Sequence, residues 1–323
     1  MVGIFDADVP TALAFVRSLG RAGIPTRVYS HRRYPVARFS RYCTTFEQCP
    51  EVENGDAFVP FLAELLERGE IDLVAPTSDL IAFYTAEVFA KFPEELQRRL
   101  TAPAAVLDCL FKDRFEHACA HAGFRTPKAW LPSSVEEALA LKDSLPYPVL
   151  LKPRTHVSVF LDRGVVVHDA TELNQHFKPY PIAAGQLRAR EKYPKLAWPM
   201  IQEYVPNALR NLVSVSGVMD AQGRASAVAV SRKVSQWPPT LGIGIEFRSA
   251  EPADLMERAL PLVRSVLGQG IFELEMIRDE RNGEWLAIDL NPRAHGFISF
   301  DVARRNDLPR LWYQSVVGER PEP

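Results

Sequence analysis

The chain lacks most of the features by which a sequence declares a function. Its four cysteines, Cys43, Cys49, Cys109 and Cys119, form no Cys-x-x-Cys pair. That leaves no zinc knuckle and no disulfide framework, and makes a reducing, cytoplasmic setting the expectation. No apolar run approaches the ~20 residues that span a bilayer, so no membrane partner is expected. The opening MVGIFDADVP has neither the basic start nor the long apolar stretch of a signal peptide. A formal net charge of -2 gives a polyanion-binding role no support, and no nucleic-acid partner is expected. The first strand-to-helix turn, FDADVPT, lacks the Gly-x-Gly-x-x-Gly that admits a dinucleotide pyrophosphate, so NAD binding is not expected. No Gly-x-Ser-x-Gly elbow, Cys–His pattern or internal repeat is present.

What remains is an ordinary globular composition, 24 % charged and 47 % hydrophobic over 323 residues, long enough for two or three compact domains. The first third alternates strands and helices: VGIF, TALAFVRSLGRAG, PTRVYS, AFVPFLAELLERG, IDLVAP and LIAFYTAEVFAKF. That order implies βαβ units on a parallel sheet. APTSDL, residues 75–80, ends a strand and opens a helix; Ser78 or Asp79 reads equally as an N-cap or as part of a substrate-facing loop. Residues 103–123 read as one helix ending at Gly123, whose His117 and His121 are better taken as ordinary histidines than as a metal pair. HVSVFLDRGVVVHDATEL reads as a strand pair and a capped helix, and NLVSVSGVMDAQGRASAVAVSRKV as an antiparallel hairpin. The fold class is therefore α+β, with a Rossmann-like α/β part first.

The stretch FELEMIRDERNGEWLAIDLNPRAHG, residues 272–296, places carboxylates inside two apolar strands around Asn282-Gly283. Residues two apart share a strand face. Phe272, Leu274 and Met276 then lie on one face with Leu286, Ile288 and Leu290, while Glu273, Glu275, Asp289, Asn291 and Arg293 share the other. This pairing requires opposed residue numbers with an even sum. A two-residue loop gives an odd sum, so an odd-length loop is predicted, with Gly283 left-handed in a bulge position. Glu275, Asp289 and Asn291 would then offer oxygens suited to Mg²⁺ held against phosphates, with Arg293 beside a transferring group. A solvated strand face with one salt bridge is an equal reading of these residues alone. Two lysines stand where phosphates could be met, Lys112 in LFKDRF and Lys152 ending YPVLLKP. MIQEYVPN offers a backbone edge to which adenine could bond as an extra strand partner would.

In order along the chain, KDRF with GFRTPKAW, YPVLLKP, PMIQEYVP, SRKVSQWPP with LGIG, FELEMIRD and IDLNPR resemble the ATP-grasp superfamily. TALAFVRSLGRAGIPTRVYS and APTSD resemble the pre-ATP-grasp domain of its carboxylate–amine ligase branch, near D-aspartate-ligase-like enzymes. The resemblance implies a Rossmann-like pre-ATP-grasp domain over 1–108, a small subdomain over 109–200 and a C-terminal subdomain with the metal site over 201–323. It implies ATP and Mg²⁺ as cofactors, with Mn²⁺ as the alternative ion. Lys112 and Lys152 match lysines that reach the phosphates; Gln202, Glu203, Tyr204 and Val205 match the hinge at adenine. Glu275, Asp289 and Asn291 match the metal ligands. Arg293 matches the arginine beside the acyl phosphate, and Arg232 and Lys233 a basic pair facing the γ-phosphate or the carboxylate substrate.

The sequence departs from that pattern at three points. Asp289 stands where Glu is commoner. PRTHVSVFLDRG replaces a glycine-rich flap, so either Arg154 and His156 make contacts that backbone N–H groups make elsewhere or the loop covers ATP differently. PNALRNL lacks the acid that holds the ribose, for which Asn207 or Asn211 could substitute. The activity implied is ATP-dependent joining of a small carboxylate to an amine, amino acids among the candidates, through an acyl phosphate. The alternatives are another ATP-grasp outcome (kinase, carboxylase, thioester formation) or a non-catalytic nucleotide-binding protein. Arg154, Arg163, Arg232, Lys233 and Arg248 hint at an anionic acid substrate but would serve ATP equally well.

Overall fold

The computed structural model describes residues 1–157, 164–181, 187–238, 241–252 and 254–319. Hydrophobic alternation builds three sheets. The first is parallel: β1 (Val2–Ile4), β2 (Thr26–Ser30), β3 (Thr45–Gln48) and β4 (Leu73–Val74), in the order β3-β2-β1-β4. Its centre is fully buried, as a sheet covered by helices on both faces requires. β3 escapes the sequence reading because it is a short edge strand whose side chains are mostly exposed, with no apolar alternation to mark it.

The second sheet is antiparallel: β5 (Ala129–Trp130), β6 (Val149–Lys152), β7 (Val165–Val167) and β8 (Met200–Glu203), in the order β5-β8-β6-β7. The third comprises β9 (Leu212–Met219), β10 (Ala225–Trp237), β11 (Ile243–Ser249), β12 (Gly270–Arg278) and β13 (Trp285–Asn291), in the order β11-β10-β9-β12-β13. The β9–β10 hairpin and the helix Ala170–His176, capped by Asp169, follow the sequence reading. The first strand of the pair expected in HVSVFLDRGVVV falls largely on residues 158–163, outside the described residues.

The sheets do not divide the chain where the sequence divides it. β8 straddles residue 200 and belongs to the small sheet. Cys109, Phe115 and Cys119 pack in the core of the large sheet, against Val213, Leu274 and Leu290. The last helix, Leu308–Val317, returns to the first core, where Trp312 meets Phe15 edge-on at 5.5 Å.

The helix expected over 103–123 is two helices, Pro103–Leu110 and Lys112–His121. Phe111 between them is extended, and its N–H closes the first helix on Leu107 O. The Lys112 N–H leaves the helical ladder and donates to Arg154 O at 2.8 Å, tying this break to the end of β6. His117 and His121 are exposed on the second helix.

The β12–β13 hairpin corrects one expectation. Glu275 opposes Asp289, an even sum as predicted, but Met276 opposes Ala287. Ile288 is thus an extra residue, and the bulge lies in β13 rather than in the turn. The ladder runs on to Asp279 N–H donating to Glu284 O, leaving an even loop of residues 280–283 with Gly283 left-handed at φ +75°. The bulge changes the faces. Trp285, Ala287 and Leu290 join the core with Phe272, Leu274 and Met276. Leu286 and Ile288 lie instead with Val205, Leu212 and Ile277, beside the carboxylates.

Candidate active site

The carboxylate face of the large sheet is continuous across its strands. Glu275 opposes Asp289 on one side and Ser214 on the other; Glu273 opposes Asn291 and Ser216. Asn291 Nδ2 donates to Glu273 Oε2 at 3.3 Å, and its Oδ1 accepts from Arg293 Nη2 at 3.1 Å. Burial, together with Glu273 and Asp289 alongside, pushes the Glu275 carboxyl above its ordinary range, against the pull of Lys233. Burial acts on Asp289 in the same direction, but Lys112, His156 and Lys152 hold it below its usual value.

The two predicted phosphate lysines reach this face from different elements. Lys112 starts its helix and is buried, with Nζ 2.9 Å from Asp289 Oδ2. Lys152 ends β6; burial, with Lys112 nearby, pushes it down to about 8. Glu116, one turn beyond Lys112, lies beside Lys152 and Gln202 and is pushed up to about 7, mainly by burial. The sequence reading missed Glu116, although its i+4 spacing from Lys112 marks the shared helix face.

Strand alternation splits the predicted basic pair. Ser231 opposes Ser214, and Ser214 opposes Glu275, so Ser231 and Lys233 stand on the carboxylate face. Arg232 opposes Val213, points to the other face and is exposed. Arg154 is also elsewhere: it is 1 % exposed and donates to the Pro132 and Pro199 carbonyls at 2.7 and 3.3 Å. His156 does stand at the site, where burial and then Lys112 push it down, against Asp79 and Asp289. Arg248 pairs with Glu246 at the surface, and Arg163 lies outside the described residues.

The hinge differs from its sequence reading in where its backbone is open. β8 bonds to β5 on one side and β6 on the other, and Glu203 N–H donates to Lys128 O. The strand therefore offers no edge through Gln202 and Glu203; only Tyr204 and Val205 follow its end. Gln202 is buried, and Glu203 pairs with Arg281 at 2.7 Å. Val205 packs with Leu286 and Ile288, forming an apolar wall next to Asp289. Asn207 and Asn211 both donate at 2.7 Å to Glu280, an acid from the β12–β13 turn that the sequence reading passed over.

The parallel sheet contributes the carboxyl ends of β1 and β4. Ser78 caps the helix Asp79–Glu87, accepting from Ile81 N–H at 3.3 Å, and donates to Asp6 Oδ2 at 2.5 Å. Asp79 pairs with Arg293 through Nε at 2.8 Å and Nη2 at 3.3 Å. Burial alone would lower the Arg293 pKa; Asp79 raises it and keeps the guanidinium charged. The sequence left APTSDL open between cap and substrate loop; Ser78 is the cap, and Asp79 holds Arg293. The loop after Arg293 is tied down by Ala294 N–H donating to Pro76 O at 2.9 Å and by His295 Nε2 lying 2.8 Å from the fully buried Asp301.

No protein-family model matches this chain, and no curated protein does. Solved structures do. An L-amino acid ligase from Bacillus licheniformis aligns over 98 % of this chain and 73 % of its own, at 14 % identity and a TM-score of 0.69. N5-carboxyaminoimidazole synthetase from Staphylococcus aureus covers 99 % and 78 %, at 13 % identity and a TM-score of 0.69. The biotin carboxylase domain of Hydrogenobacter thermophilus 2-oxoglutarate carboxylase, solved with MgADP, ADP and bicarbonate, covers 100 % and 70 %, at 14 % identity and a TM-score of 0.72. With likenesses that span nearly the whole chain, the protein has the ATP-grasp fold.

Proposed function

We propose that this protein is an ATP-dependent ligase that activates a small carboxylate as an acyl phosphate and joins it to an amine. The observation that carries this reading is the convergence of Lys112, Lys152 and Lys233 on the Glu275–Asp289 pair, with Arg293 at its end. Acyl phosphate formation needs positioning and charge neutralisation rather than a protein nucleophile, and these groups supply both.

The apolar wall of Val205, Leu286 and Ile288 is the slot for the base, entered past Tyr204. Glu280, steadied by Asn207 and Asn211, stands in for the ribose acid missing from PNALRNL. Lys112 and Lys152 meet the phosphates, and Lys233 and Arg293 the γ-phosphate and the acyl oxygens. The donor set fits Mg²⁺. Glu273, Glu275 and Asp289 crowd negative charge onto one face, and burial with Glu273 and Asp289 raises the Glu275 pKa despite Lys233 and Lys112. Glu275, Asp289 and the Asn291 oxygen would hold the ion, although Asn291 Oδ1 also serves Arg293. Among the described residues no three His, Cys, Asp or Glu side chains form a ready-made cage; the ion in this reading shares its shell with phosphates and water. When bound, the ion neutralises phosphate charge. Mn²⁺ offers the same octahedral oxygen chemistry. Arg232 has no part in this scheme.

The test is ATP-dependent phosphate release across pairs of L-amino acids, with products identified by mass. Release that requires both an acid and an amine, with a mass equal to their sum less water, is the expected result. A stable phosphorylated or carboxylated product formed without an amine would place the protein with other chemistry on the same fold.

A further inference from the structure

We infer that Asp6 receives the ammonium group of the incoming amine and takes its proton. The inference rests on the ligase reading above and supplies the base that reading lacks. Asp6 sits in FDADVPT, the first strand-to-helix turn, at the carboxyl end of β1, the rim where parallel sheets place ligands. Its backbone is left-handed, at φ +53°, a conformation that presents the side chain off the strand end. Ser78, from the corresponding rim of β4, fixes that side chain. The Ser78 oxygen already accepts from Ile81 N–H, so its one proton goes to Asp6 Oδ2. Oδ1 has no hydrogen-bond partner among the described residues, and the residue is neither sealed in nor freely solvated.

The same rim leads directly to the acyl-transfer end of the site: Ser78 precedes Asp79, and Asp79 holds Arg293. Asp6 is thus linked to Arg293 through Ser78 and Asp79 along the rim of the parallel sheet. The groups around Asp6 match this task. Burial, opposed by the Ser78 hydrogen bond, pushes its carboxyl up to about 6; Glu53 and Asp8 add to the rise and His31 opposes it. Asp8 is itself approached by Arg32 at 3.6 Å. A base in this range is a better proton acceptor than an exposed aspartate.

The step balances as follows. Asp6 Oδ1 takes one proton from the ammonium. The neutral nitrogen adds to the acyl carbon, and the bond from that carbon to the phosphate oxygen breaks, with phosphate leaving as the holder of the electron pair. The second nitrogen proton passes to the phosphate, and Asp6 returns its own to water.

Hydroxylamine separates this role from a structural one, because at neutral pH it is already an uncharged nucleophile. The substitution Asp6→Asn keeps an acceptor for Ser78. In the full-length protein with Mg-ATP and the pooled twenty L-amino acids, D6N is expected to lower amide formation by about 100-fold. Hydroxamate formation and ADP affinity should stay within about twofold of the unmodified protein. The wild-type amide rate should also rise with pH through about 6, a limb absent from the residual rate of D6N. Equal loss of amide and hydroxamate, or loss of neither, overturns the role of Asp6 while leaving the ligase reading in place. An unmodified protein that makes neither product overturns the ligase reading and this inference with it.

Discussion

At the scale of single residues, the candidate site is a set of charges that hold one another in place. Lys112 neutralises Asp289, and Arg293 is shared between Asp79 and Asn291. Removing the Asp289 charge while keeping its shape tests the carboxylate directly. Asp289→Asn is expected to lower ATP-dependent phosphate release by about 100-fold or more, measured with the substrate pair found in the screen. Undiminished release would remove Asp289 from the site. Lys152 makes a prediction about pH. Its folded-state value, pushed down to about 8, means that the charge proposed to meet phosphate is present below that pH and lost above it. Affinity for Mg-ADP should therefore weaken by up to about tenfold per unit as pH rises past 8, and Lys152→Ala should flatten that dependence while weakening binding by roughly 10- to 100-fold. Calorimetry from pH 7 to 9.5 reads both effects.

At the scale of elements, the bulge in β13 accounts for both an apolar and an acidic group on one face. Because Ile288 is extra, Ile288 and Asp289 both stand opposite Glu275 and face the site, while Ala287 and Leu290 stay in the core. Deleting Ile288 keeps Ala287 and Asp289 on their present faces but removes one wall of the proposed base slot. The deletion should weaken Mg-ADP by roughly tenfold, the order expected for one buried aliphatic side chain, with far-UV circular dichroism unchanged. Unchanged ADP affinity would place the base elsewhere. Much of this element was legible in the sequence: Glu273, Glu275, Asp289 and Asn291 do converge, and Gly283 is left-handed. Parity demanded one irregularity in the hairpin but could not say where. The turn and the strand can each absorb an extra residue, and only packing of Leu286 and Ile288 against Val205 selects the strand. The break at Phe111 was illegible for a related reason. Residues 103–123 keep a helical pattern throughout, and the bond from Lys112 N–H to Arg154 O that interrupts the ladder is long-range. Arg232 and Lys233 were misread as a pair because adjacent strand residues cannot share a face.

At the scale of the whole molecule, three sheets contribute to one site, so its parts lie far apart in sequence. The parallel sheet brings Asp79, the small sheet Lys152 and Gln202, and the large sheet the carboxylates and Lys233. The last helix closes the chain onto its beginning through Trp312 and Phe15. Trp312→Ala should cost about 3–5 kcal/mol of stability, read as a lowered denaturation midpoint. This long-range closure carries no local sequence signal, which is why a division at residues 108 and 200 misses it. Binding at such a shared site should also stabilise the whole. With Mg-ADP at 100 times its Kd the gain is about 2.7 kcal/mol. The most direct test of the central claim is therefore ADP binding with and without Mg²⁺, in the unmodified protein and in Asp289→Asn. The account predicts that Mg²⁺ strengthens binding at least tenfold in the unmodified protein and that the substitution abolishes this gain, the scale set by several kcal/mol of metal–phosphate interaction. Absence of ADP binding, or affinity that is the same in EDTA as in Mg²⁺, would contradict it.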